Sequence, residues 1–193
     1  MAELSSDPVE ILIRSDAWGT RQVLGVCRGL THEQFHKVFP IGLGSLHETL
    51  THMLSAARRW TDRVQGRTPR PMLHAMPQYP HLAGESKDRT PDELLALLNE
   101  VEEELLKAAR QHRDALGTTV RLEWPGENGS VKVYTFTRGA VFVHVATHGY
   151  HHRAQCLNML RQLGAPVPGV AEGLPEPSAV DWQTETESPA VVR

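Results

Sequence analysis

The stretch that decides the reading of this chain is "HVATHGYHHRAQ", His144 to Gln155, which carries four of the eleven histidines. It belongs to a longer helical run from about Arg138 to Leu163. At about 100° per residue, Val141, Val145, Cys156, Met159 and Leu163 share one narrow arc of that run. His148 and His152 fall on the same arc and interrupt the apolar stripe at consecutive turns, with Cβ atoms roughly 6 Å apart. Each ring on a buried face leaves a nitrogen to satisfy, which is costly without a partner. A metal ion removes that difficulty by taking one nitrogen from each ring and leaving the other for an acceptor. Two core histidines held by hydrogen bonds are the competing explanation, and they fit less well on so apolar an arc. His144 and His151 lie beside Gln155 on a flank, where a helix surface or a subunit contact accounts for them.

Outward from this helix, Gly164 stands at its C′ position and Pro166 lies beyond. Ahead of it, "TTVRLEWPGENGSVKVYTF" (118–136) holds two β-rich runs around a turn at Pro125–Ser130, the pattern of a hairpin. "TPDE" at Thr90–Glu93 opens another helix with a cap, a proline at N1 and a capping box, and Leu94, Leu98, Val101 and Leu105 form its stripe. A first helix is predicted from Asp7 to about Leu30, with Asp7 as cap and Val9, Ile13, Leu24 and Cys27 at helical spacing. A second is predicted from Ser45 to about Gln65. Between them, "THEQFHKVFPIGLGS" (31–45) breaks the period, and a Pro-rich loop follows from Arg67 to Arg89. Four long helices predict an all-α, up-down four-helix bundle over residues 1–165, with the hairpin before its last helix. Residues 166–193 hold five prolines and no period, and are expected as an irregular arm that lies over the bundle and frays at its end.

Composition narrows the function. A net charge of −3 with dispersed basic residues argues against a nucleic-acid surface, and no run of 18 apolar residues predicts a membrane span. The polar, acidic start lacks the features of a signal peptide, so a cytoplasmic location is expected. Cys27 and Cys156 sit in apolar helical surroundings and read as buried thiols.

Two histidines need a third ligand from another helix. "SLHETLTHMLSAARRWTDRV" (45–64) offers His47, Glu48 and His52. Its dominant stripe is Leu46, Leu50, Met53, Ala57, Trp60 and Val64, and His52 points away from it. Periodicity alone does not choose between His47 and His52. If His52 is a ligand, this helix has two buried sides, the second covered by another helix, by the arm or by a partner chain.

The run from Ser45 through His52 to Trp60, followed by "HVATHGYHHRAQCLNMLRQLG", resembles the DinB/YfiT family of metal-binding four-helix bundles. His144, His148, His151, His152, Arg153, Gln155 and Leu160–Gly164 match its last-helix pattern, with Ala154 in place of the usual glycine. The resemblance covers about residues 8–165 and leaves the arm without a counterpart. It implies His52, His148 and His152 as ligands. A set of three imidazoles admits one divalent transition metal, zinc or nickel first, with iron, manganese or copper as further candidates. The resemblance also implies a homodimer, expected here with the second helix at the interface.

Three imidazoles leave open positions for water or substrate, as catalytic sites do. Three functions follow. The first, favoured by the resemblance, is a transferase that activates a low-molecular-weight thiol at the metal for attack on a small electrophile. The second is a hydrolase using bound hydroxide. The third is a non-catalytic metal-binding stress protein. Glu48 is the candidate fourth ligand or general base, although an exposed carboxylate near a helix N-terminus explains it equally well. Arg58, Arg59 and Arg63 are candidates to meet an anionic substrate or, more simply, form a solvated helix end. Trp60 is a pocket or core residue, and Asp181 and Trp182 are candidates to cover the site. Metal affinity is expected to fall below about pH 6.5, where imidazoles take up protons.

Overall fold

The computed structural model describes residues 4–75, 84–85, 87–125 and 130–187. Among them are α1 (Pro8–Cys27), α2 (His32–His36), α3 (Leu46–Val64), α4 (Pro91–Gln111), β1 (Thr119–Pro125), β2 (Val131–Thr137), α5 (Arg138–Leu163) and α6 (Ala179–Thr186). The caps fall where the sequence puts them. The Asp7 carboxylate accepts from Val9 and Glu10, the Ser45 hydroxyl from Glu48, and Thr90 and Glu93 form a reciprocal capping box. Gly164 closes α5 in the left-handed conformation, at φ 67°. β1 and β2 pair antiparallel from Thr119↔Thr137 to Pro125↔Val131. Residues 126–129 of the expected turn lie outside the described residues.

The four long helices close a ring of contacts: α1 packs on α4 and α5, and α3 packs on the same two. The predicted stripes line the interior. Ile13, Leu24 and Cys27 of α1, Leu94, Leu98, Val101 and Leu105 of α4, and Val141, Val145, Cys156 and Met159 of α5 are all buried. Among the described residues no helix is long and apolar enough to cross a membrane.

Three features depart from the sequence reading. The first is α2, formed inside the stretch where the period breaks. Thr31 and Gln34 make a capping box around five helical residues, too few to show a period, and Phe35 anchors them in the core. The second is the arm, which is not irregular throughout. Ser178 caps α6, and α6 packs on α1 with only Trp182 of its residues buried. One buried residue in eight gives the sequence no stripe to display. Val167 joins the main core, Ser5 hydrogen-bonds Glu187, and the tail expected to fray, from 188 onward, lies outside the described residues. The third is the second buried side of α3. Within this chain α5 meets it at His52, and the Pro-rich loop covers much of the rest. Leu73 N–H donates to Ser55 Oγ at 3.0 Å, and Met72, Leu73 and His74 are buried. Asp62, also buried, accepts from Arg67 and Arg70 and ties down the start of that loop. The apolar stripe of α3 is meanwhile consumed within the chain: Leu46, Leu50, Met53 and Val64 are buried, and Ala57 and Trp60 pack against the second core cluster.

α5 is fixed to α1 by a buried ion pair. Arg153, 1% exposed, donates to the Asp16 carboxylate at 2.6 Å, to the Asp16 carbonyl at 3.0 Å and to the Thr20 hydroxyl at 3.2 Å. Its guanidinium lies 4.3 Å from the Tyr150 ring centre. The pair fits because residue 149 is glycine: a Cβ there would stand 2.2 Å from Asp16 Oδ1. Gly149→Ala must therefore displace Asp16 and strand a buried guanidinium. We expect a loss of about 2–4 kcal/mol, read as a lower urea midpoint with unchanged m-value.

Candidate metal centre

α3 and α5 bring three imidazoles together. His52 Nε2 lies 3.2 Å from His148 Nε2, and His148 Nε2 lies 3.2 Å from His152 Nε2. One ligand atom from each ring falls within 4.8 Å of the other two. Metal–nitrogen bonds of about 2.0–2.1 Å place neighbouring nitrogens roughly 2.8–3.4 Å apart between octahedral and tetrahedral sets, so the three rings fit a divalent ion.

The outer nitrogens are directed by partners. His152 Nδ1–H donates to Gln155 Oε1 at 2.8 Å, which leaves the Nε2 lone pair facing the cluster. The other end of that amide donates to His151 Nε2 at 3.0 Å. The loop before α3 holds Gln155 from behind. Gly42, at φ 53°, comes so close that a Cβ would stand 2.3 Å from Gln155 Oε1. His52 Nδ1 lies 3.2 Å from Nε2 of the buried His74. With its Nε2 lone pair turned to the cluster, His52 donates from Nδ1 to His74, whose own Nδ1 has no partner among the described residues. The sequence reading missed His74, because a Pro-rich loop has no period from which burial could be inferred.

The electrostatics favour neutral rings. Burial, then the charges of His148, His152 and His74, pushes His52 down to about 3. Burial and the neighbouring histidines push His148 down to about 4. His152 is lowered by burial, against the hydrogen bond to Gln155. No carboxylate is among the causes acting on these three rings.

The remaining sequence candidates fall elsewhere. His47, the alternative to His52, is buried beside the loop, where its Nε2 accepts from Arg89 N–H at 3.2 Å and its ring stacks on His36. Glu48 turns toward His47, with Oε1 3.5 Å from Nδ1, and makes no bond to the three-histidine group. His144 is exposed and extends the column of rings, 5.5 Å from His148 and 5.2 Å from Trp60. Arg58 donates to the Pro71 carbonyl and Arg59 to that of Arg70, so both help to hold the loop. The Asp181 carboxylate accepts from the Ser178 hydroxyl at the start of α6 and Trp182 is buried as part of that helix on α1; neither covers the histidines. A second group, His32, His36 and Asp88, was not anticipated. Their ring nitrogens lie 3.0 and 2.9 Å from the two carboxylate oxygens, on an exposed surface formed by α2.

A ring of helices with a hairpin, carrying three converging imidazoles on two of its helices, defines the class of protein. The DinB family profile matches residues 6–186, and the chain belongs to the DinB family. The match includes most of the arm. A DinB-like protein from Bacillus cereus ATCC 10987, known from its crystal structure, is similar in fold. It has a TM-score of 0.54 and 19% identity, and the alignment covers 83% of this chain and 95% of that one. No curated protein matches significantly.

The lowered pKa values correct the expected pH window. A ring that titrates lower in the fold than in the unfolded chain makes the folded state bind fewer protons. Acidification from about 6.5 toward 4 therefore favours unfolding, and below the folded pKa values the difference stays constant. His52 and His148 remain neutral at pH 5, each withholding about 1–2 kcal/mol once solvent screening at their open edges is discounted. We expect the Tm of metal-free protein to fall by on the order of 10 °C between pH 7 and pH 5 by calorimetry. His52→Ala and His148→Ala should each flatten that dependence. Proton competition with a metal likewise begins below the ordinary histidine range.

Proposed function

We propose that this chain holds one divalent transition metal on His52, His148 and His152, zinc or nickel first and iron or manganese next, and uses it as a thiol transferase. The frame would be an up-down four-helix bundle over residues 1–165, working in the cytoplasm as a homodimer. The observation that carries the reading is the donor set: three neutral nitrogens with no carboxylate bonded to them. A divalent ion on neutral ligands keeps its full charge and would supply a Lewis-acidic position where an anionic ligand, such as the thiolate of a low-molecular-weight thiol, is favoured. The chain itself offers no such sulfur. Cys27 and Cys156 are free and fully buried in the core, and burial pushes the Cys27 thiol up to about 12 and Cys156 higher still. The thiol must come from solution.

The residues around the site orient rather than react. Gln155 fixes the tautomer of His152, His74 meets the outer nitrogen of His52, and Gly42 lets the preceding loop press on Gln155. The hydrolase alternative has less support, since its proposed base, Glu48, is engaged with His47.

Elemental analysis should find about one metal per chain, lost in His52→Ala, His148→Ala and His152→Ala and retained in His47→Ala and His151→Ala. A low-molecular-weight thiol should perturb the absorption of cobalt-substituted protein. Metal content unchanged in all three ligand variants would remove the site. A cobalt spectrum indifferent to thiols would leave a metal-binding protein without transferase chemistry. Sedimentation of the chain at micromolar concentration tests the assembly, and a single species near 21.5 kDa would remove the dimer.

A further inference from the structure

A cleft of about 530 Å³ opens between the C-terminal half of α3 and β1, where Arg59, Arg63, Arg67, Arg121 and Arg138 face a single carboxylate among the described residues, Glu123. Two of the five arginines are already neutralised. Arg67 bonds Asp62 at 2.8 Å, and Arg121 pairs with Glu123 at 3.2 Å. Among the described residues the other three donate only to backbone carbonyls: Arg59 to Arg70, Arg63 to Arg59 at 3.3 Å, and Arg138 to Val64 at 3.2 Å. Asp62, whose charge reaches Arg59 and Arg63, is itself bonded to Arg67 and Arg70. A solvated helix end does not describe this cluster. Arg63 is half-buried over the Trp60 ring, 4.8 Å from its centre, and burial with the charge of Arg59 lowers it to about 10. Like charges gathered at partly desolvated positions destabilise one another unless an anion completes the set, and planar guanidinium groups suit an oxyanion.

The cleft and the histidines lie along one face of α3. His52, Arg59 and Arg63 are spaced i, i+7, i+11 on α3 and share one face, with Arg59 and Arg63 roughly 10 and 16 Å along the axis from His52. A line of ring contacts spans the same interval: Arg63 on Trp60, Trp60 against His144, and His144 against His148.

We propose that Arg59, Arg63 and Arg138 bind the oxyanion end, phosphate or carboxylate, of an elongated small substrate whose other end reaches the histidine cluster. The second half of this statement rests on the metal-site reading, and the first half does not.

The test is calorimetric titration of the full-length, chelator-treated protein with inorganic phosphate and, separately, with acetate. At least one anion should bind in the millimolar range or tighter and weaken as salt rises, and the stronger of the two names the oxyanion. Arg59→Gln and Arg63→Gln should each weaken it tenfold or more, Arg63→Lys should retain part of it, and His148→Ala should bind as wild type. Absence of binding by both anions would overturn the cleft and leave the metal reading untouched, as would unchanged affinity in folded glutamine variants. Loss of binding in His148→Ala would place the anion at the histidines and overturn it as well. If the glutamine variants do not fold, mapping of phenylglyoxal modification on the wild-type chain decides: protection of Arg59, Arg63 and Arg138 by the bound anion supports the proposal, and equal modification with and without it overturns it.

Discussion

The pairing of Arg153 with Asp16 is the constraint on which the arrangement of the site depends. Arg153 follows His152 directly, so the bond that docks it on α1 also sets the rotation of α5 and the direction in which His148 and His152 face. The pair is not a strong source of stability. Burial holds the Asp16 carboxyl up at about 6 even with the guanidinium against it, and Arg153 Nη2 has no hydrogen-bond partner among the described residues. Such pairs specify one orientation among several that an apolar interface would accept, at some expense in stability. Tyr150, which covers the guanidinium, and Gly149, which admits the carboxylate, belong to the same device.

α3 meets a different constraint. Its N-terminal half is buried on more than one face, with Thr49, Thr51 and Ser55 as inaccessible as Leu46 and Leu50. A helix enclosed in this way needs partners for its hydroxyls, and Thr49 and Ser55 find them in the Ser45 carbonyl and in the Leu73 amide. The loop that supplies the second of these also delivers His74 to the outer nitrogen of His52. Support for the helix and placement of the ring are therefore one structural event.

This explains what could and could not be read from the sequence. The ends of α5 were legible, because Gly164 and the β-rich runs before the helix are local signals. The arc holding His148 and His152 was legible because one apolar period runs the length of that helix. The choice of His52 over His47 was not, since a helix buried on several sides has no single period. The resemblance pointed to His52, and the fold brings it beside His148 and His152 while sending His47 to the Arg89 amide. α2 and α6 were hidden by their length, with Phe35 and Trp182 their only buried residues. His74 and Asp88 act through contacts distant in sequence, and nothing in their immediate neighbours announces them.

The two cysteines carry a consequence for the chemistry of damage. Oxidation of sulfur to sulfenic and higher acids begins at an accessible thiolate, and Cys27 and Cys156 are neither ionised nor reachable while the fold is intact. The polypeptide therefore exposes no cysteine on which peroxide could leave a lasting mark. A protein built in this way can meet oxidants at its surface without losing a cysteine to them.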